Sequence, residues 1–206
     1  MNYTRFFSRQ ARQPKGVFGR FFMSRVFDRG NAAINAFVKQ SLAVQKDEQA
    51  LEIGYGTGFL INELAGHLDK GCIHGLDFSG TMAAVARKRN RAHIRAGRVN
   101  LRQGDFDTAD FVPDSFDCVF TVNTLYFWED PDHTIGKIHN ILKPGGRLVI
   151  GFVGEADMEK MKLDREVFTS YSPEAAVNLL SGVFRQADIL DKKHENHTAY
   201  CAVGIK

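Results

Sequence analysis

The sequence predicts a doubly wound α/β fold: a mostly parallel seven-stranded sheet with an antiparallel last strand, preceded by N-terminal helices. From Gln49 onward, short apolar runs typical of strands alternate with longer segments of helical periodicity. Such alternation favours parallel strands joined by right-handed helical crossovers. The last two strand-like runs are separated only by a short polar turn, which indicates antiparallel neighbours.

The first half of the domain is predicted to hold three strands and two helices. In the first helix, Leu60, Ile61, Leu64 and Leu68 share one face, and in the second, Ser79 is placed as an N-cap. The segments, in order, are ALEIG (strand), FLINELAGHL (helix), CIHGLDF (strand), SGTMAAVARKRNRAHI (helix) and VNLRQGD (strand).

The second half is predicted to hold four strands and two helices. Asp130 and Ser172 each precede a proline, which is a typical helix start, and the KPGG turn ends the first of these helices. The segments are FDCVFTVN (strand), EDPDHTIGKIHNIL (helix), RLVIGFV (strand), SPEAAVNLLSGVF (helix), QADILDKK (strand) and TAYCAVGIK (strand).

Composition is that of a soluble globular protein, with 206 residues, 44% hydrophobic and 25% charged. No apolar stretch approaches the ~20 residues that span a bilayer. The stretch MNYTRFFSRQ is followed by more basic residues and not by an apolar run, so we expect no signal peptide here. The three cysteines are far apart in apolar runs, which indicates free buried thiols in a reducing cytoplasm. The histidines are scattered without the spacing of a metal site, so we expect no metal.

Charge is distributed unevenly along the chain. Residues 1–46 hold nine Lys/Arg and one acidic residue, a net charge of +8, whereas residues 47–206 carry −5. Phe18, Phe22 and Val26 recur every fourth residue within the basic part. We therefore divide the chain into an N-terminal helical lid segment, 1–46, and a ligand-binding domain, 47–206. Two alternatives stay open: residues 1–29 contact a membrane surface, or they are simply packed on the domain.

A glycine-rich loop follows the first predicted strand, in the stretch LEIGYGTGFL. Its spacing does not fit G-x-G-x-x-G, the dinucleotide-binding pattern, and the Walker lysine is absent. In a doubly wound sheet, ligands bind outside the carboxyl ends of the strands. The loop therefore marks a ligand site to which Asp77, Asp105 and Asn123, at other strand ends, also belong.

Glu52, Gly54, Gly56 and Gly58 form E-x-G-x-G-x-G, which resembles the first motif of class I S-adenosylmethionine-dependent methyltransferases. The resemblance covers roughly residues 48–152 and points to the small type 11 group that includes ubiquinone and menaquinone C-methyltransferase-like enzymes. It implies a Rossmann-like fold and S-adenosylmethionine as the cofactor, with S-adenosylhomocysteine as its product.

By this resemblance, the residues after the second and third strands bind the cofactor. Asp77 takes both ribose hydroxyls, and Phe78 and Met82 sandwich the adenine. Asp105 accepts a hydrogen bond from the adenine amino group, and the backbone N–H of Phe106 donates a hydrogen bond to a ring nitrogen of the adenine. Glu52 serves either the cofactor's amino group or the loop itself, and the two roles weigh equally. Asn123 is also placed at the cofactor.

Methyl transfer is an in-line displacement that needs alignment and exclusion of water more than a strong base. No general base is evident, and Asn123, Tyr126 and Trp128 are candidates for lining the acceptor site, with Met158, Met161 and Phe168 available beyond the fifth strand. We expect a small, apolar or aromatic acceptor and no nucleic acid, with carbon, nitrogen and oxygen all open. The alternatives are a lipid (phospholipid or quinone) methyltransferase at the membrane surface and a non-catalytic S-adenosylmethionine-binding protein.

Overall fold

The computed structural model describes residues 30–160, 166–195 and 197–206. Seven strands form one sheet in the order β3-β2-β1-β4-β5-β7-β6, and β7 runs antiparallel to both of its neighbours. This confirms the predicted fold class. The strands are β1 (Gln49–Ile53), β2 (Cys72–Asp77), β3 (Val99–Gln103), β4 (Phe116–Val122), β5 (Leu142–Val153), β6 (Gln186–Lys193) and β7 (Thr198–Ile205).

Helices cover both faces of the sheet, and each face has its own buried apolar cluster. Helices α1 to α3 contribute to one cluster, and α5 to α7 contribute to the other. In the described ranges the helices are α1 (Ala32–Leu42), α2 (Phe59–Ala65), α3 (Gly80–Arg89), α4 (Arg91–Arg95), α5 (Pro131–Ile141), α6 (Glu155–Lys160) and α7 (Pro173–Ser181), with a 3₁₀ turn at Leu125–Phe127. No helix in this part of the chain is long and apolar enough to cross a bilayer.

The three predicted helix starts are confirmed. The side chains of Ser79, Asp130 and Ser172 each accept a hydrogen bond from the backbone N–H three residues further on. Such caps satisfy donors that the first turn of a helix leaves unpaired. Because the signal is local, it could be read from sequence alone.

Two predicted elements differ from the structure. The helix expected to run from Gly80 to Ile94 breaks at Asn90, a fully buried residue whose amide donates to the carbonyls of Ala86 and Gly58 at 3.0 Å each. The KPGG segment, expected to be a turn, belongs to β5 and shifts its register against β4. Gly145 in that segment has φ +77°, which accommodates the irregularity.

Helix α1 is fixed against the sheet at the entry to the domain. Its Val38 packs directly on Gly151, where any added Cβ would collide with the valine. The guanidinium of Arg147 makes two 2.8 Å bonds to the carboxylate of Glu48 and a 2.7 Å bond to the Leu42 carbonyl. The described part of the predicted segment 1–46 is therefore part of the core. The aromatic stripe at Phe18, Phe22 and Val26 lies outside the described residues, as does Met161.

Candidate cofactor and acceptor site

A cavity of about 710 Å³ opens where β1, β2 and β4 end. It is lined by nearly every residue that the sequence placed in the site, with walls contributed by α1 and by the segments after β3 and β5. The predicted residues found there are Glu52, Gly54, Gly56, Asp77, Phe78, Met82, Asp105, Phe106, Asn123, Tyr126 and Trp128; Gly58 is not among the lining residues.

The three loop glycines meet different surroundings. A Cβ on Gly56 would point into open space, and the φ of this residue is +51°. A Cβ on Gly58 would lie 2.6 Å from the Asn90 amide nitrogen and 2.8 Å from the Ala86 Cβ. A Cβ on Gly54 would collide with Thr124. Only Gly56 of the three therefore leaves room for a ligand against the backbone, whereas Gly58 lets the loop pack on α3.

Asp77 is a buried carboxylate that holds the loop and the start of α3 together. Its Oδ2 accepts from the Gly56 N–H at 2.7 Å, and its Oδ1 accepts from the Ser79 N–H at 2.8 Å. Burial raises the pKa of Asp77 to about 6, and these two bonds oppose the shift. Each oxygen keeps lone-pair capacity for a further donor, as a ribose diol would supply.

Glu52 is even less exposed, at 3%, and its Oε2 has no hydrogen-bond partner among the described residues. Burial raises the pKa of Glu52 well above its ordinary value, and the neighbouring Asp77 charge raises it further. An unpaired buried carboxyl is costly, so its place in a cavity wall indicates a partner supplied by a ligand. A cationic amino group is the natural partner.

The lysine, arginine and carboxylate side chains of a cavity wall determine the charge of the ligand it favours. Among the described residues no lysine or arginine lines it, whereas five carboxylates do: Glu52, Asp77, Asp105, Asp107 and Glu129. A pyrophosphate would find no cationic partner here. A ligand with a positively charged centre is favoured instead.

Apolar side chains line the cavity after β2 and β3. Met82 and Phe106 are buried, whereas Phe78 is 37% exposed. Asp105 is exposed, and its Oδ1 accepts from the Asp107 N–H at 3.0 Å. This arrangement suits a flat heterocycle, with a carboxylate at its edge.

At the end of β4, an amide cluster ties α1 to the sheet. Asn123 has φ +55°, and its amide donates to the Asn31 side-chain oxygen at 3.0 Å. The Tyr126 hydroxyl lies 3.1 Å from the side-chain oxygen of Asn123 and accepts from the Val153 N–H at 2.6 Å. Burial raises the pKa of Tyr126, which keeps the phenol neutral. These bonds fix the position of the Tyr126 ring at the end of β4.

The end of the cavity beyond Asn123 is aromatic. The Phe127 and Phe168 rings lie 4.7 Å apart between centroids, and Tyr126 lies 6.1 Å from Phe168. Trp128 and Met158 complete this wall. A backbone bond from the Thr169 N–H to the Tyr126 carbonyl, at 3.0 Å, holds the segment in place. The wall is suited to an apolar, flat molecule.

Several lining residues were missed by the sequence reasoning. Asn31 and Asn35 come from α1 and its N-cap, and His197 comes from the turn between β6 and β7. Asn35 is only 8% exposed and lines the cavity. In the sequence, the i, i+4 spacing of the two asparagines on an otherwise apolar helix face could have indicated that they line the site. No sequence pattern indicates His197, because only the tertiary fold brings its turn to the cavity.

Comparison with known proteins agrees with this geometry. Residues 51–150 match the family model Methyltransf_11, the methyltransferase domain. The chain is 26% identical over 179 residues to the uncharacterized methyltransferase YdaC of Bacillus subtilis, covering 85% of this chain and 93% of that one. It is 30% identical over 160 residues to the demethylmenaquinone methyltransferase of Lactobacillus johnsonii, covering 77% of this chain and 63% of that one.

A solved structure supports the fold. Phosphoethanolamine N-methyltransferase 2 of Haemonchus contortus, determined with S-adenosyl-L-methionine, has a TM-score of 0.69 and 20% identity, with 84% of this chain and 52% of that chain covered. The chain is a class I S-adenosylmethionine-dependent methyltransferase. Its relatives include the ubiquinone/menaquinone biosynthesis C-methyltransferase UbiE of Geotalea daltonii, 28% identical over 131 residues, with 63% of this chain and 56% of that one covered.

Proposed function

We propose that the enzyme transfers the methyl group to a small, flat, apolar acceptor held against the aromatic wall of Tyr126, Phe127, Trp128, Met158 and Phe168. The observation that carries this proposal is that the two ends of one cavity are lined by different kinds of side chain. One end holds the buried carboxylates Glu52 and Asp77 beside the glycine loop, and the other is aromatic.

In this proposal, the acidic end holds S-adenosylmethionine. Asp77 accepts from the ribose hydroxyls, and the orphaned oxygen of Glu52 accepts from the amino group. The backbone at Gly56 lies under the methionine tail, and Asn123 and Asn35 lie beside that tail. Phe78 and Met82 enclose the adenine, with Asp105 and the Phe106 N–H at its edge. The fit is supported by the burial of the Asp77 and Glu52 carboxyl groups and by the Glu52 Oε2, which has no partner among the described residues.

The cofactor supplies an already activated methyl group, so the chain's own residues mainly orient the acceptor and exclude water. The aromatic wall performs both tasks, because its largely apolar surface favours contact with a flat apolar acceptor over contact with water. No strong base lines it; His197 lies at the cavity edge as the nearest imidazole. The quinone-type activity in the name of the Lactobacillus relative favours an aromatic ring acceptor here. A membrane-resident quinone or phospholipid acceptor remains our second candidate.

Phe168→Ala tests the acceptor end. Removing the ring opens the wall beside Phe127, and we expect KM for a soluble dihydroxybenzene or naphthoquinol acceptor to rise about tenfold. The affinity for S-adenosylhomocysteine should stay unchanged, because no proposed cofactor contact involves this ring. Coupled detection of S-adenosylhomocysteine release gives both constants. Phe111→Ala is the matched control, since Phe111 packs on the same apolar cluster without lining the cavity. Equal effects of the two substitutions would contradict the assignment.

We also propose that the segment preceding α1 closes the cavity. Gly30, Asn31, Ile34 and Asn35 already form one wall, and Asn31 is bonded to Asn123. Deleting residues 1–28 should leave S-adenosylhomocysteine binding within about twofold, since the proposed cofactor contacts lie later, but should reduce kcat at least tenfold because water is no longer excluded. Full activity on a soluble acceptor, combined with loss of vesicle binding, would show instead that the segment is a membrane contact.

A further inference from the structure

One edge of the domain is strongly basic although the rest of the domain is acidic. Residues 78–104 contain seven Lys/Arg and no Asp or Glu, whereas the remainder of residues 47–206 holds 11 Lys/Arg against 23 acidic residues. We call the exposed cations of this edge the basic face. Its members are Arg87, Lys88, Arg91 and Arg95, carried by α3 and α4.

The basic face has no internal counter-charge. Arg87, Lys88, Arg91 and Arg95 form no ion pair with any residue in the described part of the chain, and Arg102 lies over the Phe111 ring at 5.4 Å. Arg91 and Arg95 are four residues apart, so they repel each other on α4 by roughly 0.2–0.5 kcal/mol. Nearby, the Arg98 Nε and the His93 Nδ1 are buried without a partner. Cations in the last turns of α3 and α4 favour those helices, whereas Arg91, at the first residue of α4, opposes the dipole of its helix.

We infer that the basic face binds the phosphate-bearing surface of an anionic lipid bilayer. The inference rests on the proposed apolar acceptor, which would be dissolved in such a membrane. Arginine predominates over lysine here, and its guanidinium suits phosphate oxygens. Apart from His93, no aromatic side chain lies between Ala84 and Arg102, so there is no platform on which nucleobases could stack.

The basic face adjoins the cavity. Met82, in the first turn of α3, lines the cavity, and Arg87 lies five residues further along the same helix, roughly 7.5 Å by the helical rise. Arg89, between the exposed cations, donates to the Thr57 carbonyl at 3.2 Å and so anchors this helix end to the glycine loop. A bilayer held by the basic face would therefore lie close to the ligand site without occupying it.

The test is co-sedimentation of the full-length protein with vesicles of phosphatidylcholine alone and of phosphatidylcholine mixed with phosphatidylglycerol. The wild-type protein should bind only the anionic vesicles, and should be released between about 0.05 M and 0.5 M salt because screening shortens the Debye length. Each cation near such a surface contributes about fivefold to binding, so the triple variant Arg87→Gln, Arg91→Gln, Arg95→Gln should bind roughly 100-fold more weakly.

A second triple variant, Lys46→Gln, Lys70→Gln, Lys193→Gln, removes the same charge from exposed positions elsewhere and should keep its binding within a few-fold. Both variants retain the basic segment 1–29, so loss in the first alone cannot come from that segment. The inference is overturned if the two variants lose binding equally, if the first binds like the wild type, or if a single-stranded RNA depends on the basic face more strongly than vesicles do. Calorimetry with S-adenosylhomocysteine on the same variants tests the proposed function separately, and both should bind it normally.

Discussion

Gly56→Val should abolish binding of S-adenosylhomocysteine. Gly56 has φ +51°, and a Cβ there projects into the cavity without meeting any protein atom within 4 Å. A valine would place its two methyl groups where the methionine tail is proposed to lie against the backbone. We expect affinity to fall more than about 100-fold, about 3 kcal/mol or more. Isothermal calorimetry on the purified variant measures this.

Backbone strain must be separated from steric blocking in that experiment, because valine is unfavourable at positive φ in either state. Gly97→Val is the matched control. Gly97 has φ +72°, also has nothing within 4 Å of an added Cβ, and does not line the cavity. Both variants should lose comparable thermal stability, whereas only Gly56→Val should lose binding. A folded Gly56→Val protein with wild-type affinity would remove the glycine loop from the site.

Asp77→Ala is expected to weaken S-adenosylhomocysteine binding roughly ten- to a hundredfold or more. One hydrogen bond to a charged group contributes about 1.5–3 kcal/mol, which corresponds to about ten- to a hundredfold in affinity, and the ribose diol is proposed to make two such bonds. The substitution also removes the acceptor of the Gly56 N–H and the Ser79 N–H, so the loop itself is less ordered. Calorimetry combined with a thermal melt distinguishes lost contacts from unfolding. Unchanged affinity in the folded variant would exclude Asp77 from the cofactor site.

The titration of Asp77 gives this prediction a pH signature. In the free protein its pKa is raised to about 6, above its ordinary value of 3.8. The folded protein therefore holds this proton up to about pH 6, so the contribution of Asp77 to the free energy of unfolding declines as pH rises from about 4 to 6. Ligand binding has the opposite dependence, since the ionised carboxylate accepts from hydroxyl donors more strongly than the neutral acid. Affinity should fall up to about tenfold per pH unit below 6, and Asp77→Asn should remove the part of this dependence that titrates near pH 6, whereas Glu52→Gln should retain that part.

Local signals in the sequence predicted most of the fold. The caps at Ser79, Asp130 and Ser172 depend on residues three positions away, and the alternation of strands and helices determines where ligand residues gather. Asp77, Asp105 and Asn123 were assigned to one edge on that reasoning, and all three line the cavity. Parallel strands bring their carboxyl ends together whatever the details of packing.

The remaining features depend on contacts between distant residues. Asn90 breaks a helix because its amide bonds to Gly58, 32 positions earlier. Asn31 reaches Asn123 across 92 positions, and no local pattern indicates that pairing. Gly58 fits the motif spacing, but its surroundings show packing on Ala86 and Asn90 rather than an opening to the cavity. These contacts depend on tertiary packing, which the hydrophobic periodicity of the sequence does not predict.

Calorimetric titration of the wild-type protein with S-adenosylhomocysteine, and in parallel with NAD, tests the central claim most directly. Among the described residues, carboxylates line the cavity and no lysine or arginine does, and the Glu52 Oε2 has no hydrogen-bond partner. We therefore expect saturable, one-to-one binding of S-adenosylhomocysteine and no measurable heat with NAD. Binding of NAD without binding of S-adenosylhomocysteine would contradict the assignment of this cavity to the methyl donor.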